Sequence, residues 1–269
     1  MKTIILIILF PFMLNAQPDL LLLYGGASFD PLTYDARTTA YLSRVTTDGG
    51  VTIDTSAVDS AYVYGDADIA TLWVGSDYGV KKDANDRVTK FYDLSDSTFD
   101  IIQVDTSLSP LWTSGGTHFF LPPHTAGDYM DVTFGVAKVD SMTICLAGSH
   151  EDAVSGYYYD GVAAGNRHAL YNSDLSIYSG AGAVTGSSVI NGTEFLVTVD
   201  WGYLDTLYLN SAYDASGNSG THTLTGIVLY NRPAHDYAMN GIFRELVIYP
   251  TNGVRAKLEA VINAHWDIY

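Results

Sequence analysis

The stretch Gly241-Ile242-Phe243-Arg244-Glu245-Leu246-Val247-Ile248-Tyr249-Pro250 reads as a strand brought to a stop by proline. Its residues are β-branched or aromatic for the most part, the side chains that suit a pleated and buried surface. A helix follows, with Thr251 or Asn252 available to cap it and Val254, Leu258, Val261, Ile262 and Trp266 at the spacing of one apolar stripe. Such a stripe is a docking face against the body of a domain. Read outward from here, the rest of the chain repeats the first half of this pattern and not the second.

Residues 130–136 (Met-Asp-Val-Thr-Phe-Gly-Val) alternate apolar and polar, the period of a half-buried strand. Residues 194–200, 206–210 and 221–230 are equally rich in strand formers, and residues 20–24 form a short apolar run after Pro18. Turn chemistry separates them: Asp48-Gly49-Gly50, Asn191-Gly192 and Ser216-Gly217-Asn218-Ser219-Gly220 tolerate positive φ. Asn191-Gly192-Thr193 also fits a glycosylation sequon. The glycine-rich residues 180–188 lack the Lys-Ser or Lys-Thr of a phosphate loop and read as a surface loop. Many short strands with one terminal helix predict an all-β, two-sheet antiparallel sandwich, with no repeat and no domain boundary inside residues 17–269.

The beginning of the chain predicts export. Met1-Lys2-Thr3 carries one positive charge, residues 4–14 are apolar apart from a proline, and Leu14-Asn15-Ala16 offers a small-residue exit before Gln17. That is the anatomy of a signal peptide over residues 1–16, and the apolar run is too short for a span of about 20 residues. The competing reading is a buried first strand. After cleavage no further long apolar run remains, so no transmembrane segment is expected and the product is secreted, periplasmic or on a cell surface. The net charge of −17 becomes −18 once Lys2 is removed. An acidic surface of this kind excludes nucleic acid and anionic membranes as partners and favours solubility. The single Cys145 lies in an apolar run and is expected to be a buried thiol.

The order of these pieces resembles the LamG-type group of concanavalin A-like domains, bacterial and phage-encoded. The closing strand and helix, 241–269, carry the resemblance, and Leu224-Thr225-Gly226-Ile227-Val228-Leu229-Tyr230-Asn231-Arg232 is similar to the penultimate strand of that group. Residues 88–100 resemble its Trp-Tyr-Asp-Gln-Ser-Gly-Asn-Gly-Asn-Asp stretch, also found in arabinofuranosidase-like sandwiches. Here Leu94 stands at the Gln position, Asp96 at the first Gly and Phe99 at the later Asn, which puts a turn-holding or ligand-holding role in question. The resemblance covers residues 20–269 and implies a jelly roll whose concave face or rim loops often bind glycans. It does not fix function, because lectins, hydrolases, adhesion modules and virion decorations share the fold.

Local catalytic signatures are absent. No Glu-x-Asp-x-x-Glu strand, His-Glu-x-x-His helix or Gly-x-Ser-x-Gly elbow occurs. Asp131 stands alone in its strand, and alternation puts Asp200 and Asp205 on opposite faces of a regular strand. His150-Glu151-Asp152 reads as a solvated loop. No residue is singled out as catalytic or as a metal ligand, although Asp83, Asp86, Asp93 and Asp96 leave weak calcium binding open. A glycoside hydrolase of arabinofuranosidase-like type stays open as an alternative, with its carboxylates on separate strands.

Binding fits the composition better. Sugar rings offer apolar C–H faces and hydroxyl edges, which suit aromatic platforms flanked by polar groups. Tyr157, Tyr158 and Tyr159 form the densest aromatic cluster, Trp201 and Tyr203 a second, and Arg232 and His235 supply polar partners in an expected loop. The same tyrosines and Trp201 also suit the interior of a sandwich. A glycan or surface polysaccharide is the expected partner. The alternative is a protein on a bacterial surface or phage particle, bound by a structural or adhesive module.

Overall fold

The computed structural model describes residues 31–113, 116–119, 127–138, 141–151, 156–172, 174–190, 192 and 194–269. The expected signal peptide (1–16) and the expected strand at 20–24 lie outside the described residues, as do Asp152 and the sequon residues Asn191 and Thr193. Helices α1 (Pro31–Thr47) and α2 (Thr55–Gly65) come first. Six strands follow: β1 (Leu72–Gly75), β2 (Val80–Lys82), β3 (Val88–Phe91), β4 (Ile101–Ile102), β5 (Leu111–Thr113) and β6 (Gly116–Phe119). The middle of the chain supplies β7 (Met130–Lys138), β8 (Met142–His150), β9 (Tyr157–Gly161), β10 (Ala169–Tyr171), β11 (Ser176–Tyr178) and β12 (Ala183–Thr185). The last elements are β13 (Glu194–Trp201), β14 (Asp205–Leu209), β15 (Ala212–Gly217), β16 (Leu224–Leu229), β17 (Gly241–Tyr249) and α3 (Arg255–Trp266).

These strands make two antiparallel sheets, the expected β-sandwich. The first has the order β15-β14-β13-β8-β17-β6-β5, with β1 pairing the second half of β17. The second runs β12-β11-β10-β9-β16-β7-β4-β3-β2. Alternate side chains from both meet in one apolar core. Ile144, Leu146, Phe195, Val197, Phe243 and Leu246 from the first sheet pack on Phe91, Met130, Leu170, Ile177, Ile227 and Leu229 from the second.

The first sheet is buried on its other face too. There Trp73, Cys145, Ala147, Leu196, Val247 and Tyr249 pack against Tyr41 and Val45 of α1, Ala57, Val58, Ala61 and Tyr62 of α2, and Leu258, Val261 and Ile262 of α3. Cys145 is buried, as expected. A bulge in β17 fits the strand to both tasks. The register shifts between Phe243 and Glu245, so Phe243 and Leu246 enter the inter-sheet core while Glu245 turns toward the helices.

Glu245 is the hub of that second interface. Trp73 Nε1 and Tyr78 OH each donate to its Oε1 at 2.7 Å, and Trp266 Nε1 donates to its Oε2 at 2.7 Å. Burial pushes the carboxyl upward, while His265 and the three donors hold it down. An indole N–H can only donate, so the carboxylate is the acceptor that both tryptophans need.

Several expectations are corrected. Two helices precede the sandwich strands where none was expected, and their buried or half-buried residues (Thr38, Tyr41, Leu42, Val45; Ala57, Val58, Ala61, Tyr62) do fall at helical spacing. Asp54 caps α2 by accepting from Ser56 and Ala57 N–H. The cap of α3 is Val254, with no side-chain bond, so neither Thr251 nor Asn252 serves. Asp48-Gly49-Gly50 closes α1 instead of turning a hairpin, since Gly50 N–H donates to Val45 O. Residues 180–188 contain β12. His150 ends β8 fully buried and is no solvated loop residue. Asp200 and Asp205 sit on separate strands around a tight turn, Asp200 bonded by Thr143 and Asp205 by Gly202 and Ser219.

In the 88–100 stretch the turn is kept despite its substitutions. Buried Asp93 accepts from the backbone N–H of Trp73, Ser95 and Phe99 at 2.8–3.0 Å, and burial pushes its pKa up to about 6. The four candidate calcium ligands do not converge: Asp83 holds the Asn85 and Arg87 N–H groups, Asp86 pairs with Lys82, and Asp93 is used as above. Among the described residues no group of three or more His, Cys, Asp or Glu could hold a metal ion, and no helix is long and apolar enough to cross a membrane.

Glu245→Ala leaves two indoles and a phenol without their acceptor, at about 1–3 kcal/mol for each buried orphan. Urea unfolding is expected to show a loss of at least about 3 kcal/mol, with Glu245→Gln milder because one carbonyl oxygen remains. A loss below about 1 kcal/mol for the alanine variant would contradict the hub.

Candidate functional site

The helices seal one face of the first sheet, which leaves the outer face of the second as the broad sheet surface not covered by a described helix. Cross-strand pairing lays Ile102, Asp131, Val228 and Asp160 in one row across β4, β7, β16 and β9 of that face. Val228 is absent from the inter-sheet core that its neighbours Ile227 and Leu229 enter, as alternation requires. Beside this row lie Tyr157 of β9, Tyr171 of β10 and Tyr178 of β11. The loop 230–240 between β16 and β17 closes over the same end.

The parts are held by short contacts. Tyr157 stacks on its cross-strand partner Tyr171 at 5.2 Å between centroids and meets Tyr237 edge-on at 6.4 Å. The Arg167 guanidinium lies 5.3 Å from the Tyr157 centroid and 5.1 Å from that of Tyr178, and Arg232 lies 4.1 Å from that of Tyr237. Arg167 grips Asp160 through Nε at 2.8 Å and Nη2 at 2.6 Å. Arg232 grips Asp236 through Nε at 2.5 Å and Nη2 at 2.7 Å. Both guanidiniums also interact with the Tyr157 hydroxyl, and each has its pKa raised by its carboxylate partner against the cost of burial.

Local sequence explains the frame. Asn231 is buried, and its Oδ1 accepts from the N–H groups of Arg232 and Tyr237, folding the loop on itself. Tyr157 N–H donates to Tyr237 O, which fastens the loop to β9. A Cβ at Gly156 would stand 2.7 Å from Ala238 O, so glycine is what lets the loop lie that close. Asp131 is pushed upward by burial and faces His235, whose pKa burial lowers against the pull of Asp131 and Asp236. His235 stacks on Tyr129 at 3.6 Å between centroids.

The structure thus brings Tyr157, Arg232 and His235 together. It separates the others. Tyr158, Tyr159 and Trp201 are fully buried in the inter-sheet core and cannot meet a ligand there; this corrects their place as binding residues. Their apolar rings are worth more as core filling than as platforms. Tyr203 is 93 % exposed but sits in the turn between β13 and β14, on the first sheet. Sequence reasoning missed Tyr171, Tyr178, Asp160 and Arg167, and from the loop 232–237 it singled out Arg232 and His235 but not Asp236 or Tyr237. An arginine just beyond the Ala164-Gly165 turn that follows β9 and the i,i+4 pair Arg232/Asp236 were the available signals.

Two concavities lie elsewhere, of about 260 Å³ beside α1 and α2 and about 390 Å³ along α3. Several of their polar groups are committed to the fold. In the first, Arg44 bonds Asp100, Tyr41 OH donates to Tyr92 O and Tyr62 OH to Leu94 O. In the second, Glu259 is engaged by Ser211 and Arg255, and Asn263 by Tyr269 O. We therefore take the aromatic and ion-pair face as the candidate site. The site holds its two arginines bonded to the carboxylates of Asp160 and Asp236, and burial pushes Asp160 upward against the pull of Arg167. It can stack on apolar ring faces and exchange hydrogen bonds at their edges.

A scan against protein-family models and a search of curated protein sequences both find no match. Among solved structures, the receptor binding domain of botulinum neurotoxin D is similar, with a TM-score of 0.53 and 13% identity over 74% of this chain and 53% of that one. The binding domain of Paraclostridial Mosquitocidal Protein 1 gives 0.52 and 11%, over 74% and 53%. Domain 4 of AbnA, a GH43 extracellular arabinanase from Geobacillus stearothermophilus, gives 0.45 and 13%, over 57% of this chain and 80% of that one. The chain spans about half the length of the first two structures. At these identities the likeness to the first two is one of fold alone, an antiparallel β-sandwich.

Proposed function

We propose that this protein is an exported carbohydrate-binding module without catalysis, which takes a glycan on the outer face of the second sheet. The observation that carries the reading is the joining of Tyr157, Tyr171, Tyr178 and Tyr237 with two bidentate Arg–Asp pairs on one face that no described helix covers. Tyrosine rings match the C–H faces of pyranoses or furanoses, and fixed ion pairs offer donors and acceptors at their edges. Ordering costs little where partners already hold each other, which favours affinity. The similar folds named above as receptor binding and binding domains agree with a binding role. The LamG-type resemblance of residues 241–269 points the same way.

A second reading, attachment to a protein of a bacterial surface or virion, draws on Tyr203 and Leu204, 93 % and 57 % exposed at one turn tip. Two apolar side chains make a small patch beside the several hundred Å² typical of an interaction site, so the glycan reading stands first. A hydrolase would need an acid and a second carboxylate about 5–10 Å apart. Asp131 and Asp160 are two strands apart, about 9.5 Å between Cα atoms from strand spacing. Asp160, however, is spent on Arg167.

The binding test is a broad glycan array with wild type, Tyr157→Ala, Tyr237→Ala and Tyr203→Ala. The wild type and Tyr203→Ala are expected to give signal that the first two variants lose by tenfold or more. A blank array, or equal loss in Tyr203→Ala, contradicts the site. Export has its own check: the mature protein recovered from outside the cytoplasm should begin at Gln17, and an intact Met1 there would count against cleavage.

A further inference from the structure

Resting on the glycan reading, we infer that this site selects uncharged sugars and turns acidic ones away, through the Arg232–Asp236 pair. A site built to take a carboxylate or sulfate leaves a guanidinium fork open, because the fork matches such an anion edge to edge. Here the Nε/Nη2 edge of each arginine is taken by the protein itself. Arg232 spends Nε and Nη2 on Asp236, and Arg167 spends Nε and Nη2 on Asp160. An acidic sugar would meet guanidiniums whose charge a bidentate carboxylate already offsets, with that carboxylate's own negative charge beside it.

The carboxylates on this face outnumber the guanidiniums. Asp131, Asp160 and Asp236 stand against Arg167 and Arg232, and the imidazole of His235 is held toward its neutral form by burial. The whole chain adds to the repulsion with a net charge of −17.

A neutral sugar finds what an anion does not. Guanidinium carries five N–H donors, of which Asp236 takes two, and a carboxylate keeps lone pairs beyond those its arginine uses. The Asp236 side chain is 50 % exposed and that of Arg232 30 %, so both edges are open to solvent. Two neighbouring ring hydroxyls can therefore accept from Arg232 and donate to Asp236 at once, while Tyr237, lying under Arg232, and Tyr157 offer apolar ring surface. Asp160 has no exposed surface in its side chain and acts as the anchor of Arg167.

The test prints neutral oligosaccharides on an array, each beside its uronate and O-sulfated derivatives, and compares wild type with Asp236→Asn and Asp131→Asn. Asp236 is half-exposed on a loop and Asp131 lies outside the apolar core, so either variant gives a reading if the other folds poorly. Wild type is expected to bind neutral features at least tenfold more strongly than their acidic counterparts. Asp236→Asn, which opens the Arg232 fork, should narrow that ratio threefold or more, and Asp131→Asn should narrow it through charge alone. Wild-type binding to acidic features equal to or above the neutral ones overturns the inference and leaves the glycan reading standing. An unchanged ratio in both variants also overturns it, and a blank array takes down both.

Discussion

A sheet has two faces, and in this protein the first sheet spends both of them on burial. Strands β8 and β17 run down its centre almost without an exposed side chain. One side meets the second sheet and the other meets three helices, with the Glu245 carboxylate as acceptor for two indoles and a phenol at the junction. Strands covered on both faces read as near-continuous apolar runs, as residues 142–147 and 245–249 do. Everything else about the molecule's surface follows. With that sheet sealed, ligand chemistry is left to the outer face of the second sheet and to the loops.

The loop 230–240 is the piece that turns a plain sheet face into a site. A buried amide, Asn231, folds it, and a main-chain bond to Tyr157 with close approach at Gly156 presses it onto β9. Arg232, His235, Asp236 and Tyr237 then stand over strands that already carry Asp131, Tyr157 and Asp160. The rigid part is the sheet, and the variable part is a short loop fastened to it, which is where binding specificity is commonly carried.

The sandwich was legible because its strands obey alternation and its turns carry glycine and asparagine. Residues 130–136, 194–200 and 242–249 all lie in strands, and the helix after Pro250 docks as its stripe implies. Helices α1 and α2 were not legible as such. The five threonines of α1 and the paired serines, valines and tyrosines of α2 have weak helix propensity, and it is tertiary packing on Trp73 and Val247 that supports them. The site was read in fragments. Tyr157, Tyr158 and Tyr159 look alike in sequence, but a register shift against β10 at Leu170/Tyr171 sends the second and third inward and leaves the first outside. No local pattern shows that Tyr157 meets Tyr171, Tyr237 and Arg167, because those meetings depend on strand pairing and loop closure.

The central claim is that the described helices cover one sheet and leave the tyrosines on the other's outer face within reach of solvent, and hydroxyl-radical footprinting of aromatic side chains measures that directly. The account predicts ready oxidation at Tyr157, Tyr171, Tyr178 and Tyr237, with protection of Trp73, Tyr78, Tyr158, Tyr159 and Tyr230, which are buried. Oxidation of Trp73 and Tyr78 as fast as that of Tyr157, or protection of Tyr237, would contradict it.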